Sequence, residues 1–172
     1  MTYCAEGVFR HADQNGRGGI LREGWAQHTT VGRGMYHSEI NDSPAEPMRF
    51  IQMWFFPDVP GLRPSVEQKK VNKADRTNVL FPIVSNSLPG ALRIHQDAAV
   101  YSSFLQKDRV AELAMTEGRG GYLYVLKGGP VAVNGKKVDT LGAAAITQEP
   151  ALLIEALQDA ELLLVDVPMN NI

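Results

Sequence analysis

Apolar positions along the chain fall in short runs or strict alternations, each closed by Gly, Pro, Asn or Asp. Met48–Phe56, Gly121–Leu126, Pro130–Val133, Leu152–Ala156 and Glu161–Val167 are such segments. Runs of this length with turn residues between them predict strands rather than helices. Asn134-Gly135 stands between Val131-Ala132-Val133 and Lys136–Val138. Both residues tolerate positive φ, which a type I′ turn requires at its two central positions, so a two-residue hairpin is expected there. The one candidate for a longer helix, Asp97–Asp108, is apolar at both periods and reads as strand and loop. Met53-Trp54-Phe55-Phe56, ending at Pro57, reads first as a buried core strand and second as the wall of a pocket for an aromatic substrate. The pattern predicts an all-β protein.

A weak internal repeat divides the pattern in two. Tyr3-Cys4-Ala5-Glu6-Gly7, with Phe9 after it, is echoed by Tyr124-Val125-Leu126-Lys127-Gly128, with Pro130 after it. Each copy leads into a polar hairpin and then a glycine, Gly24 or Gly142. Two copies of one β unit are implied, over residues 1–82 and 83–172, with a chance match as the competing reading. Strand-like sequence from Ala91 onward precedes the second copy, whereas only Met1-Thr2 precede the first. The first unit is therefore expected to be incomplete at its N-terminus.

Composition narrows the class of function. The 172 residues are 44% hydrophobic and 21% charged, near globular averages, so a disordered chain is excluded. The formal net charge is −2, with Lys and Arg scattered rather than gathered into a stripe. Direct nucleic-acid binding is not expected from such a balance. The single cysteine, Cys4, rules out an intrachain disulfide and Cys-rich zinc sites, and fits a reducing compartment. Residues 1 to 20 lack a basic segment followed by an apolar run, and no window approaches the ~18 apolar residues of a spanning helix. The expectation is a cytoplasmic protein without a membrane partner.

The chemistry lies in Gly32-Arg33-Gly34-Met35-Tyr36-His37-Ser38-Glu39. Strand side chains repeat with period two, so His37 and Glu39 share one face, with Tyr36 and Ser38 on the other. If that face is the interior of a small barrel, an imidazole and a carboxylate converge there as half of a first-row transition-metal site. A surface hydrogen bond or ion pair is the plainer reading of the same spacing. Gly118-Arg119-Gly120-Gly121 lacks the helix and Lys of a phosphate loop and reads as a turn.

Val31-Gly32-Arg33-Gly34-Met35-Tyr36-His37-Ser38-Glu39 resembles the signature run of the pirin family, Ala-Gly-x-Gly-x-x-His-Ser-Glu. Tyr3–Gly7, His11-Ala12-Asp13-x-x-Gly16, Ile51-Gln52-Met53-Trp54 and Gly61-Leu62-x-Pro64-x-x-Glu67-Gln68 are similar to further family elements in the same order. In the second half, Leu92-x-Ile94-His95-Gln96-Asp97-Ala98-x-x-Tyr101 and Val133-Asn134-Gly135 resemble the short bacterial pirins of the quercetin 2,3-dioxygenase type. The resemblance spans essentially the whole chain.

It implies an all-β bicupin, two jelly-roll-like barrels, the first one incomplete. It also implies a divalent transition metal (iron, copper, nickel or zinc) held by three histidines and a glutamate. Of these ligands, only His37 and Glu39 carry over, because the family's other two histidines lie upstream of the strand in which this chain begins. The implied activity is a metal-dependent dioxygenase cleaving flavonols, with Glu39 accepting the proton of the substrate hydroxyl. The alternative is a non-catalytic binding or regulatory pirin of the transcription-cofactor kind, and two ligands of four favour that alternative. His11 matches a family position at a hairpin, outside the ligand set. His28 stands where the family has an apolar residue and marks an altered or solvent-exposed strand. His95 is expected to be a hydrogen-bonded structural histidine of the second cupin. Exposed strand edges in the shortened first unit predict a homodimer.

Overall fold

A computed structural model of the chain describes residues 1–169. Among them are seventeen strands and one 3-10 turn, Ala74–Arg76, as the all-β reading requires. No helix of the described residues is long and apolar enough to cross a membrane. The chain forms two compact units, Met1–Asn72 with Leu92–Gln96, and Lys73–Ala91 with Asp97 onward. The sequence-based division at 82/83 thus falls inside the second unit as the structure has it, and a five-residue segment, Leu92–Gln96, returns to the first.

The first unit holds β1 (Thr2–Glu6), β2 (Val8–Asp13), β3 (Gly18–Arg22), β4 (Ala26–Thr30), β5 (His37–Asn41), β6 (Arg49–Gln52) and β7 (Ser65–Lys69), with the short β9 (Leu92–Arg93). Strands β1 to β7 form two sheets, in the orders β6-β1-β4-β7 and β3-β2-β5. β1 lies between two partners in its sheet and buries Thr2 to Ala5 without interruption. β2 alternates instead, with Phe9, His11 and Asp13 buried and Arg10 and Ala12 exposed. Cys4 of β1, Phe9 of β2 and Leu21 of β3 meet in one core, joined by Trp25, Met48 and Phe50. The Phe9 and Phe50 rings pack edge to face at 5.1 Å. Burying a side chain such as Phe9 or Leu21 contributes about 1.5–3 kcal/mol, and here it fixes which face of β2 points inward.

The second unit holds β8 (Phe81–Ser85), β10 (Ala99–Leu105), β11 (Val110–Ala114), β12 (Arg119–Gly128), β13 (Val131–Val133), β14 (Lys136–Val138), β15 (Ala143–Thr147), β16 (Ala151–Ala156) and β17 (Ala160–Pro168). One sheet runs β15-β12-β17-β10-β8 and the other β11-β16-β13-β14. Leu123, Val125, Leu162 and Leu164 of the first meet Val131, Val133, Leu152 and Ile154 of the second in a continuous core. The expected hairpin joins β13 and β14, with Asn134 at φ 46° and Gly135 at φ 77°. Asp97–Asp108 is strand β10 and flanking loop.

The internal repeat is structural. Gly7 and Gly128 occupy equivalent places and share a left-handed conformation, φ 76° and 68°. At either one a Cβ would collide with a backbone carbonyl, that of Pro47 or of Asp159. The register of β1 against β6 shifts between Cys4 and Glu6, and that of β12 against β17 between Val125 and Lys127. These are the same two places in the Tyr-to-Gly segment, so each copy bends its strand with the same bulge.

The apolar run after Met48 departs from expectation. Its strand ends at Gln52, and Trp54 and Phe56 are 87% and 86% exposed rather than buried in a core. The last backbone bond is from the Met53 amide to the Met1 carbonyl. Pro57 and Pro60 have no N–H to continue a ladder, so the segment leaves the sheet and its rings face outward.

Candidate functional site

The Gly-x-Gly kink works as a turn that starts β5. Gly32 sits at φ 57° with the Leu62 carbonyl where a Cβ would be, and the Gly34 amide bonds the Val31 carbonyl at 3.0 Å. β5 then pairs antiparallel with β2, placing Asp13 opposite His37 and His11 opposite Glu39. Directly opposed residues put their side chains on one face of the sheet, and period two puts His37 with Glu39 and His11 with Asp13. One donor atom from each of His11, His37 and Glu39 lies within 4.8 Å of the other two. The two imidazoles stand 5.0 Å apart between ring centroids, and His37 Nε2 is 3.7 Å from Glu39 Oε1. Sequence reasoning set His11 aside as a hairpin residue, and the structure brings it into this group. The signal was present in β2 itself, since an inward Phe9 and an outward Arg10 require His11 to point inward.

His11 is buried, and its Nδ1 has no hydrogen-bond partner. Burial first, and the neighbouring charge of His37 second, lower its pKa from the ordinary 6.5, against the opposing pull of Glu39 and Asp13. A neutral imidazole is the form that binds a metal. Gly18, at φ 138°, makes the space for it, because a Cβ there would lie 2.8 Å from His11 Nδ1. Asp13 is engaged elsewhere. Its carboxylate accepts the amides of Asn15 and Arg17 at 2.8 and 2.7 Å and the Arg17 guanidinium at 2.8 Å. Desolvation would raise its pKa, but those bonds hold it below the ordinary value, and it closes the β2–β3 turn.

Gln52, the last residue of β6, donates its side-chain amide to both oxygens of Glu39, at 2.8 and 2.7 Å. The carboxylate is thereby held in one orientation beside the two histidines. His37, Glu39 and Gln52 line a cavity of about 580 Å³, within the range of small-molecule sites. Tyr36 and Ser38 are not among its lining residues; Tyr36 is exposed, and Ser38 Oγ reaches the Ala12 carbonyl at 3.5 Å.

The same cavity is lined by Trp54, Phe56, His28 and His95. The pocket-wall reading of Trp54 and Phe56 is thus the one their positions match. Of the two readings of His28, an altered or a solvent-exposed strand, the second does not hold: His28 is buried in β4, and its Nδ1 has no hydrogen-bond partner. Burial, then the charges of the Met1 amino group and of His95, lower its pKa to about 4. His95 lies in the Leu92–Gln96 segment, which groups with the first unit. Two bonds tie that segment to the loop after Trp54: the Asp58 amide to the His95 carbonyl at 2.8 Å, and the Gln96 side-chain amide to the Phe56 carbonyl at 2.7 Å.

Two imidazoles and one carboxylate on a single sheet face, with a donor atom from each within 4.8 Å of the others, fit a first-row divalent metal. The pirin family model matches residues 1–55, and that of the quercetinase C-terminal cupin domain matches residues 83–167. A protein named quercetin 2,3-dioxygenase from Escherichia coli K12 is 34% identical over 169 residues, covering 98% of this chain and 71% of the relative. A pirin-like protein of Caulobacter vibrioides is 35% identical over 168 residues, covering 96% and 72%. Among solved structures, YhhW of Escherichia coli superposes with a TM-score of 0.89 at 33% identity, over 97% of this chain and 70% of that one. The nickel(II) complex of the same bacterial pirin gives 0.86 at 33% identity, over 97% and 71%. With matches in both units, at this identity and over nearly its whole length, the chain belongs to the pirin family.

Proposed function

We propose that the first unit holds a divalent transition metal on His11, His37 and Glu39, and that the chain is a quercetinase-like oxygenase that cleaves flavonol-like substrates. The observation that carries this reading is the convergence of three donor atoms within 4.8 Å, two of their residues lining a cavity large enough for a flavonoid. The name quercetin 2,3-dioxygenase on the Escherichia coli relative supports the substrate class, and the nickel(II) complex of YhhW supports a divalent metal.

A divalent metal bound there supplies positive charge that stabilises a deprotonated substrate hydroxyl. The chain's own residues do the rest. Glu39 accepts the hydroxyl proton as general base, from a position fixed by the two hydrogen bonds of Gln52. His11 and His37 stand beside Glu39 on paired strands, so the donor set is assembled before substrate arrives. Trp54 and Phe56 offer flat apolar surfaces on which an aromatic ring system stacks, which orients the substrate and displaces water from the cavity wall.

The test is aerobic incubation of quercetin with the chain after separate loading with iron, copper, nickel and zinc, following flavonol absorbance and oxygen uptake together. The reading expects at least one metal to give loss of flavonol in step with oxygen, abolished in Glu39→Gln. If no metal gives turnover above that variant, the enzymatic assignment is wrong.

A further inference from the structure

The cavity contains polar groups that the proposed metal cluster does not use. His28 sits in mid-strand, 7% exposed, with Nδ1 buried and unbonded. Buried side-chain nitrogens are nearly always hydrogen-bonded, and His28, which lines the cavity, carries one without a partner. The protein around it does not supply that partner. β4 is locked in register with β7, His28 opposite Glu67, so the strand cannot turn its side chains over. The adjacent Gln27 is occupied with Thr29 and Gln68. His95 lines the same cavity, on a segment pinned to the Phe56–Asp58 loop by two hydrogen bonds.

A neutral imidazole carries one donor and one acceptor nitrogen. A phenolic hydroxyl also donates and accepts, so two imidazoles lining one cavity can satisfy it on both counts. We infer that His28 and His95 form a polar subsite, separate from the metal cluster, that binds a ring hydroxyl of a planar aromatic ligand and selects polyhydroxylated ligands over unsubstituted ones. The inference rests on reading the cavity as the site of a flavonol-like substrate. It assigns discrimination to His28, at a position where the resemblance leads one to expect an apolar side chain. A site built to bond a hydroxyl rejects an analogue lacking it strongly, because its own buried polar groups are then left unpaired.

The experiment compares two probes, quercetin and 3-hydroxyflavone, which share the flavonol core and differ in ring hydroxyls. Binding to the whole chain is followed anaerobically by quenching of tryptophan fluorescence, with Trp54 on the cavity wall as reporter. The wild-type chain is expected to bind quercetin about tenfold or more tighter than 3-hydroxyflavone. His28→Met should weaken quercetin by about five- to tenfold and leave 3-hydroxyflavone within about twofold. His28→Gln, which keeps a donor and an acceptor, should restore part of the preference. His95→Leu, on a half-buried side chain, repeats the test independently, and melting curves check the fold of each variant. A preference unchanged in both His28→Met and His95→Leu, or an equal loss for both probes, overturns the subsite. Equal affinity of the wild type for both probes overturns it too, and leaves the cavity reading intact. If neither probe binds the wild type, the flavonol reading of the cavity fails and takes the subsite with it.

Discussion

The buried histidine of β4 makes stability depend on pH, in a window that it shares with His11 and the Met1 amino group. Burial, with the nearby charges, holds the folded-state pKa of His28 at about 4, against an ordinary 6.5. Between those values the unfolded chain takes up a proton that the folded chain refuses, so stability rises with pH there. The contribution is complete above pH 6.5, is lost as pH falls from 6.5 toward 4, and changes little below 4. The separation corresponds to about 3 kcal/mol at its limit, and to about 2 kcal/mol between pH 7.5 and 4.5 once solvent relaxation is allowed for. His11, whose pKa is also lowered, adds in the same direction, while Asp13 and Asp42, held below their ordinary values, act only at lower pH. The assay is urea unfolding with a chelator present at half-unit steps from pH 4.5 to 7.5, for the wild type and for His28→Gln, which does not titrate. The gap between the two curves should change by about 2 kcal/mol across the window, the wild type losing more as the solution is acidified. Parallel curves, with a gap constant to about 0.5 kcal/mol, would refute the buried neutral His28.

Three further outcomes follow from single contacts. Gln52→Leu removes both hydrogen bonds to Glu39 and should weaken metal binding by about 10- to 100-fold in a calorimetric titration with unchanged circular dichroism, and Gln52→Glu should not restore it. Gly135→Ala puts a Cβ on a residue at φ 77° with open space around it, so the cost is conformational alone, about 1 kcal/mol by urea unfolding. Leu162→Ala opens a cavity in the fully buried core of the second unit and should cost about 2–5 kcal/mol, whatever metal is bound to the first.

The fold was largely legible because its signals are local. Short alternating runs gave the strands, Asn134-Gly135 gave a hairpin whose two positive φ values demand those residues, and the Tyr-to-Gly repeat marked two copies of one unit, in each of which the structure shows the same bulge. Period two likewise put His37 and Glu39 on one face. What the sequence concealed depends on pairing between distant segments. His11 enters the donor group because β2 lies beside β5 in a register that no local pattern states. Gln52 and His95 reach the cavity from β6 and from a returning segment. Trp54 and Phe56 misled for another reason: an apolar run says that its rings favour leaving water, and a ligand pocket meets that preference as well as a core does.

The central claim is that His11, His37 and Glu39 together hold a metal, and elemental analysis tests it most directly. The chain and its His11→Ala, His37→Ala and Glu39→Ala variants are loaded with nickel(II), dialysed, and measured for metal per chain, with circular dichroism as the check on fold. The account predicts about one metal per chain for the wild type and near none for each variant, with the β spectrum retained. A metal-free wild type, or a variant that keeps its metal, would contradict it.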